Sequence, residues 1–224
     1  MATLWTFGDS FTDFYKPLKS NTRHWRHDYR DWKGYVPKVY GEIIAEKLNM
    51  DLVNKGLGGC DNSHILEEFC KVCNQIKKDD IVIFGWTIPA RFRLPDKKGS
   101  WAHFNRDPRF DDGFYIHGQI KNFNFLSKNT ILEILINRLN PTFEIELCNW
   151  VKLINLAIKD VKVIHWSWYS YNGVCNIHYI NHPYERIEQE TNGEVADGHW
   201  SEKGHYEFSD FLLNIINTND KILI

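Results

Sequence analysis

The chain predicts an α/β fold, a three-layer α/β/α sandwich around a parallel sheet of about five strands. Three observations predict it. Short apolar runs alternate with segments of helical periodicity along most of the sequence. One run, Ile81-Val-Ile-Phe84, is apolar without a break, as a strand buried on both faces must be. Ser10, Gly59 and Thr87 each fall just past a predicted strand, at the edge where parallel sheets bind ligands.

Taken in order, residues 3–7 read as a short buried strand stopped by Gly8-Asp9-Ser10. A loop rich in charge and aromatics follows. Its stretch from Lys16 to Lys38 interleaves basic residues with Trp25, Tyr29 and Trp32; Asp28 and Asp31 interrupt it, which favours a solvated basic loop over an anion-binding surface. Residues 37–49 predict an amphipathic helix, with Val39, Ile43, Ile44 and Leu48 on one side and Pro near its first turn. Residues 51–54 form a second strand, closed by the Gly-rich turn Gly56-Leu-Gly58-Gly59. A helix over 63–76 follows, with Ser63 or Asn62 as N-cap. Residues 81–84 supply the central strand. Residues 88–140 break the rhythm, with only one clear helix near 129–139, and read as an insertion over the carboxyl edge of the sheet within a single domain spanning 1–224. A helix over 143–159, a strand over 161–168, a fifth strand near 176–180 and a last helix over 201–216 complete the alternation. That last helix offers Tyr206, Phe208, Phe211, Leu212 and Ile215 as its apolar side.

Composition narrows the function. A net charge of −2 gives no general pull toward nucleic acid or anionic membranes. No apolar run reaches the roughly eighteen residues that span a bilayer. The five cysteines (60, 70, 73, 148, 175) are an odd set without framework spacing, which predicts reduced thiols. Cys70 and Cys73 form a CxxC whose mid-helix placement favours core packing over redox or metal work. With no N-terminal signal visible, a cytoplasmic setting is expected. His24 with His27, or Asp197 with His199 and His205, match no closed zinc spacing, so neither metal nor cofactor is expected.

Ester hydrolysis needs a nucleophile, a base, a group to orient the base, and donors for the oxyanion. A serine in a tight turn after a strand, as in Gly8-Asp9-Ser10, can present its hydroxyl and its backbone N–H to one carbonyl. Asp9 serves there as an anchor of the turn. Alone the tripeptide is weak, since short turns produce it by chance; its place after the first strand strengthens it.

Three blocks now resemble a known family, the SGNH (GDSL-like) hydrolases. Gly8-Asp9-Ser10-Phe11-Thr12-Asp13 resembles the first block, which opens at the nucleophile. Asn54-Lys-Gly56-Leu-Gly58-Gly59 resembles the second, whose last glycine gives an oxyanion N–H. Asp197-Gly-His199-Trp-Ser-Glu-Lys-Gly204-His205 resembles the final block, in which the base precedes the closing helix. The resemblance implies a flavodoxin-like SGNH fold and a serine esterase with Ser10 as nucleophile and His199 as general base. It implies Asp197 as the orienting carboxylate and the N–H groups of Ser10 and Gly59 as oxyanion donors.

Two departures stand out. Gly85-Trp86-Thr87 places Thr87 where the family has an Asn that donates to the oxyanion. A Thr hydroxyl is shorter, and loss of one such donor costs about 10²–10³ in rate; Arg91 or Trp86 are the alternative donors. Asp197 stands two residues before His199 rather than three, with Glu194 or a backbone carbonyl as the other ways to orient the imidazole. Trp86, Arg91 and Trp168 are the expected substrate contacts, and a small acyl ester, with a carbohydrate O-acetyl group first, is the expected substrate. The rival readings are a binding or structural module that kept the fold without efficient chemistry, and an acyltransferase using the same three residues.

Overall fold

In a computed structural model of the chain, residues 1–14, 25–89, 91–95, 101–105, 115–117, 141–171, 176–181 and 183–218 are described. Their strands are β1 (Thr3–Gly8), β2 (Asp51–Gly56), β3 (Ile81–Trp86), β4 (Phe92–Pro95), β5 (Trp101–Asn105), β6 (Tyr115–His117), β7 (Lys162–Ser167) and β8 (His178–Tyr179). The helices are α1 (Trp25–Lys33), α2 (Tyr40–Leu48), α3 (Asn62–Val72), α4 (Pro141–Ala157), α5 (Ile187–Glu190) and α6 (Glu202–Asn217). Five strands form one sheet in the order β2-β1-β3-β7-β8, and every neighbouring pair is parallel. Counted along this sheet the order is 2-1-3-4-5, the flavodoxin-like arrangement, whose switch point lies between its first and third strands.

Strand periodicity explains the layers. On β1, Leu4 faces one side of the sheet while Trp5 and Phe7 face the other; on β3, Ile83 opposes Val82, Phe84 and Trp86. One face packs on Ile65, Phe69 and Val72 of α3 and Phe143, Leu147, Val151 and Ile154 of α4. The opposite face packs on Tyr40, Ile44 and Ala45 of α2 and Phe208, Leu212 and Ile216 of α6. Two cores separated by one sheet make the three-layer α/β/α fold. Each large apolar side chain they bury contributes about 1.5–3 kcal/mol.

Several local expectations change. Residues 25–33 form helix α1 instead of a solvated loop. Among its described side chains only Tyr29 is fully buried; its hydroxyl donates to Glu190 and accepts from the Glu202 N–H at 2.9 Å, while Lys33 pairs with Glu190. The N-cap of α3 is Asp61, whose carboxylate accepts from the His64 N–H at 2.8 Å. In α6 the buried residues include His205, Phe208 and Leu212, whereas Tyr206 is exposed. Of the CxxC, Cys73 is half-buried and packs against the core, whereas Cys70 is exposed. Cys148 is disulfide-bonded, so the cysteines are not all reduced thiols and give no support to a reducing compartment. Within 88–140, β4, β5 and β6 form a separate antiparallel sheet. The helix expected near 129–139 lies outside the described residues. Among the described residues no helix is long and apolar enough to cross a membrane.

Candidate active site

The carboxyl edge of the sheet is built on three adjacent glycines. In the strand register Gly8 lies between Gly56 and Gly85. A Cβ on Gly56 would stand 2.6 Å from the Asp13 nitrogen, and one on Gly85 would stand 2.6 Å from the Trp166 ring. The missing side chains let the chain after β1 fold back over the strand ends. Asp9 shapes that turn. Its carbonyl accepts from the N–H groups of Thr12 and Asp13, both at 3.0 Å, and its Oδ1 accepts from the Phe11 N–H at 3.1 Å. Its Oδ2 lies 2.6 Å from the Arg91 guanidinium.

The segment after β2 is stitched to this turn. Asn54 donates to the Thr12 carbonyl at 2.6 Å and accepts from the Gly56 N–H at 2.7 Å. The Leu57 N–H reaches the Gly8 carbonyl at 3.0 Å, and the Gly58 N–H reaches the Asp13 carboxylate at 3.1 Å. Gly59 follows at φ 77°, a left-handed conformation that glycine takes without strain. Among the described residues, the N–H groups of Ser10 and Gly59 have no hydrogen-bond partner. Beside Gly59, burial and then the Asp9 charge push the Cys60 thiol well above its ordinary range, which keeps it protonated and inert.

His199 arrives from the far end of the chain on a loop pinned to α5. The Ile187 N–H donates to the His199 carbonyl at 2.9 Å and the Glu188 N–H to the Asp197 carbonyl at 3.1 Å. The carboxylate of Asp197 is buried, and its Oδ1 lies 2.5 Å from His199 Nδ1. A carboxylate only accepts, so Nδ1 carries the proton and Nε2 of the neutral ring is an acceptor. That Nε2 lies 2.7 Å from Ser10 Oγ, so the serine hydroxyl donates to it. Ser10, His199 and Asp197 therefore form one hydrogen-bonded chain. The Asp197 spacing of two residues makes the contact.

The remaining predicted residues separate. Thr87, just past β3, is fully buried, with its backbone N–H and carbonyl both bonded to Asn62, at 2.8 and 2.9 Å, and its hydroxyl without a partner. Arg91 is nearly buried and spends one guanidinium nitrogen on Asp9. Trp168 is half-buried, with its ring 6.3 Å from Phe11, which itself lies 5.0 Å from the His199 ring. Trp86 contradicts the expectation of a substrate contact or oxyanion donor. It continues the inward set of Val82 and Phe84, is fully buried, and donates its indole N–H to His165 Nδ1 at 3.1 Å. His205 packs between Tyr40 and Trp200, and its Nδ1 accepts from the Tyr40 N–H at 3.4 Å.

Sequence reasoning missed Asn62 and Tyr171. Both bond the Thr87 carbonyl, Tyr171 through its hydroxyl, and Asn62 also reaches the Tyr171 oxygen at 3.2 Å. The one sequence signal is an Asn following a buried Asp cap, which reads as a capping residue and not as a clamp. Among the described residues no cluster of three or more His, Cys, Asp or Glu could hold a metal ion.

No family model matches the chain, and no curated protein matches it. Among the solved structures similar to it are two esterases. One is a carbohydrate esterase whose active site is described as displaying divergent catalytic and non-catalytic binding functions. It is 11% identical with a TM-score of 0.47, over 99% of this chain and 70% of that one. The other is a catalytic mutant of an acetylxylan esterase from Geobacillus stearothermophilus. It is 17% identical with a TM-score of 0.44, over 97% of this chain and 95% of that one.

Proposed function

We propose that the protein is a serine esterase that hydrolyses a small acyl ester through an acyl-enzyme. The observation that carries this reading is the hydrogen-bonded chain from Ser10 through His199 to Asp197. His199 Nε2 takes the Ser10 proton as Oγ attacks the carbonyl carbon. The oxyanion then points at the N–H groups of Ser10 and Gly59, with the unpartnered Thr87 hydroxyl as a third donor. The imidazolium, stabilised by Asp197, returns its proton to the leaving alkoxide, and the alcohol departs. Water then repeats the sequence: His199 accepts one of its protons, the hydroxyl attacks the acyl carbon, and Ser10 regains its proton as the acid leaves.

For the substrate, an acetyl group on a carbohydrate hydroxyl is the proposed class. It follows the resemblance of the three sequence blocks and the aromatic rim of Phe11, Trp168 and the exposed Tyr179 near the ends of β1, β7 and β8, since flat rings suit sugar faces. The segment 88–140, rooted at Arg91, is proposed to cover this edge.

A panel of p-nitrophenyl esters of rising acyl length tests the proposal, run with wild type, Ser10→Ala and His199→Ala beside fluorophosphonate labelling. Cleavage of acetyl and other short esters, with activity and label both lost in Ser10→Ala, supports it. Cleavage unchanged in both variants ends it.

A further inference from the structure

We infer that Arg91 is a positioning residue that holds the Ser10 turn against the exit of β3 through its ion pair with Asp9; this rests on the esterase reading above. Asp9 immediately precedes the proposed nucleophile, and its two carboxylate oxygens have different tasks. Oδ1 shapes the turn locally through the Phe11 N–H, while Oδ2 reaches 82 residues along the chain to Arg91 Nη1 at 2.6 Å. Asp9 is 1% exposed and Arg91 9%, so this is a desolvated pair and not a surface contact. Removing either partner leaves a charge with no water to replace it.

What the pair joins makes it more than an anchor. Arg91 closes a turn on the Ile88 carbonyl at 3.2 Å and leads directly into β4. The start of the same connection, Thr87, is fixed by Asn62 at both its N–H and its carbonyl. The exit of β3 is therefore tied at one end to α3 and at the other to the serine turn. The same turn also meets the segment of the second proposed oxyanion donor, since the Cys60 thiol that follows Gly59 lies 3.5 Å from the Gly8 carbonyl. Arg91 thus holds the serine turn, and with it the Ser10 N–H, in place against the end of β3. One of its guanidinium nitrogens is bound to Asp9, and through that bond it orients the serine turn. The Arg91 Nε–H is buried and has no partner, which leaves the side chain held mainly through Nη1.

The test uses the full chain with p-nitrophenyl acetate, after wild-type turnover and its loss in Ser10→Ala have established the esterase reading. If wild type shows no turnover, that reading fails and this one fails with it; if wild type turns over, the Arg91 variants decide this inference alone. In Arg91→Ala, kcat is expected to fall about 10²-fold, the loss for a displacement of about 1 Å at a reacting group, with KM nearly unchanged. Added guanidinium ion at millimolar concentration is expected to restore part of kcat, which general destabilisation would not permit. Arg91→Lys, which keeps the charge and loses the fork, is expected to lie between the two. Unchanged kcat in folded Arg91→Ala overturns the inference. So does a raised KM at constant kcat, which would make Arg91 a substrate contact. If Arg91→Ala does not fold, Asp9→Asn, which keeps the shape and removes the charge, carries the same expectation for kcat and KM.

Discussion

A single oxygen of Asp197 holds His199 at two points: Oδ1 accepts from the His199 backbone N–H at 2.8 Å and lies 2.5 Å from its Nδ1. The spacing of two residues makes this possible, because the carboxylate caps the backbone of the residue whose ring it also orients. An amide can keep both bonds through its own oxygen and lose only the charge. Asp197→Asn is therefore expected to be the milder change on the proposed reaction, and Asp197→Ala the severe one. In the alanine variant kcat should fall about 10⁴-fold, as when the orienting acid of such a triad is removed, with the asparagine variant at least about tenfold better because its oxygen stays on Nδ1. Steady-state kinetics of both check it. Equal loss would mean that the amide turns its NH₂ toward Nδ1 and forces the wrong tautomer.

The strands of the parallel sheet are legible because a short, unbroken apolar run between turn residues suits a strand covered on both faces and little else. Ile81 to Phe84 lies in the central strand, and the alternation Val82, Phe84, Trp86 assigns Trp86 to the interior once the strand is continued two residues further. Helix α1 is not legible in the same way, since Tyr29 is the one fully buried side chain among those described and its partners Glu190 and Glu202 lie far along the sequence. The site divides along the same line. Ser10, His199 and Asp197 stand in contiguous blocks with recognisable spacing. Arg91 acts through one ion pair to Asp9 and Asn62 through a pair of bonds to Thr87, long-range contacts that no local pattern announces.

Asn62 makes a stability prediction. Its side chain accepts from the Thr87 N–H and donates to the Thr87 carbonyl, all in a buried setting. Asn62→Ala orphans the N–H outright, while the carbonyl keeps its bond from Tyr171. The expected cost is about 1–3 kcal/mol, a fall of about 2–4 °C in Tm for each kcal/mol in a chain of this size. Urea unfolding measures it. A midpoint equal to wild type would show that the end of β3 is held by Tyr171 alone.

Gly56 and Gly34 separate two reasons for glycine. At Gly56 a Cβ would meet backbone atoms of Thr12 and Asp13 within 2.8 Å, whereas Gly34 has φ 78° and nothing within 4 Å of a Cβ. Gly56→Ala must push the serine turn away. It is expected to lose about 1–3 kcal/mol of stability and most of the ester hydrolysis together. Gly34→Ala carries only backbone strain, about 1–2 kcal/mol, and keeps full activity. Denaturation midpoints beside kcat for the two variants distinguish them. Normal turnover in Gly56→Ala would show that the turn has slack.

His165 sets a pH dependence of folding. Its Nδ1 accepts from the Trp86 indole, so Nε2 carries the proton and donates to Asn155 Oδ1 at 3.1 Å. Burial, with a smaller contribution from His178, lowers its pKa from 6.5 to about 3. The folded state thus resists a proton that the unfolded chain accepts below about pH 6.5, so the unfolded state binds more protons between the two values. Stability contributed by the neutral ring is complete above the unfolded value and declines as pH falls toward the folded one. Between pH 7 and 5 the loss from this residue is about 2 kcal/mol, at about 1.4 kcal/mol for each pH unit below the free imidazole value. His178, also lowered by burial, adds a loss in the same direction, so the comparison must be made between variants. His165→Gln cannot take up the proton, and its unfolding free energy should change about 2 kcal/mol less than wild type across that interval. Urea titrations at the two pH values read the difference directly. Parallel pH profiles would mean that the imidazole is protonated, or reaches water, in the folded protein.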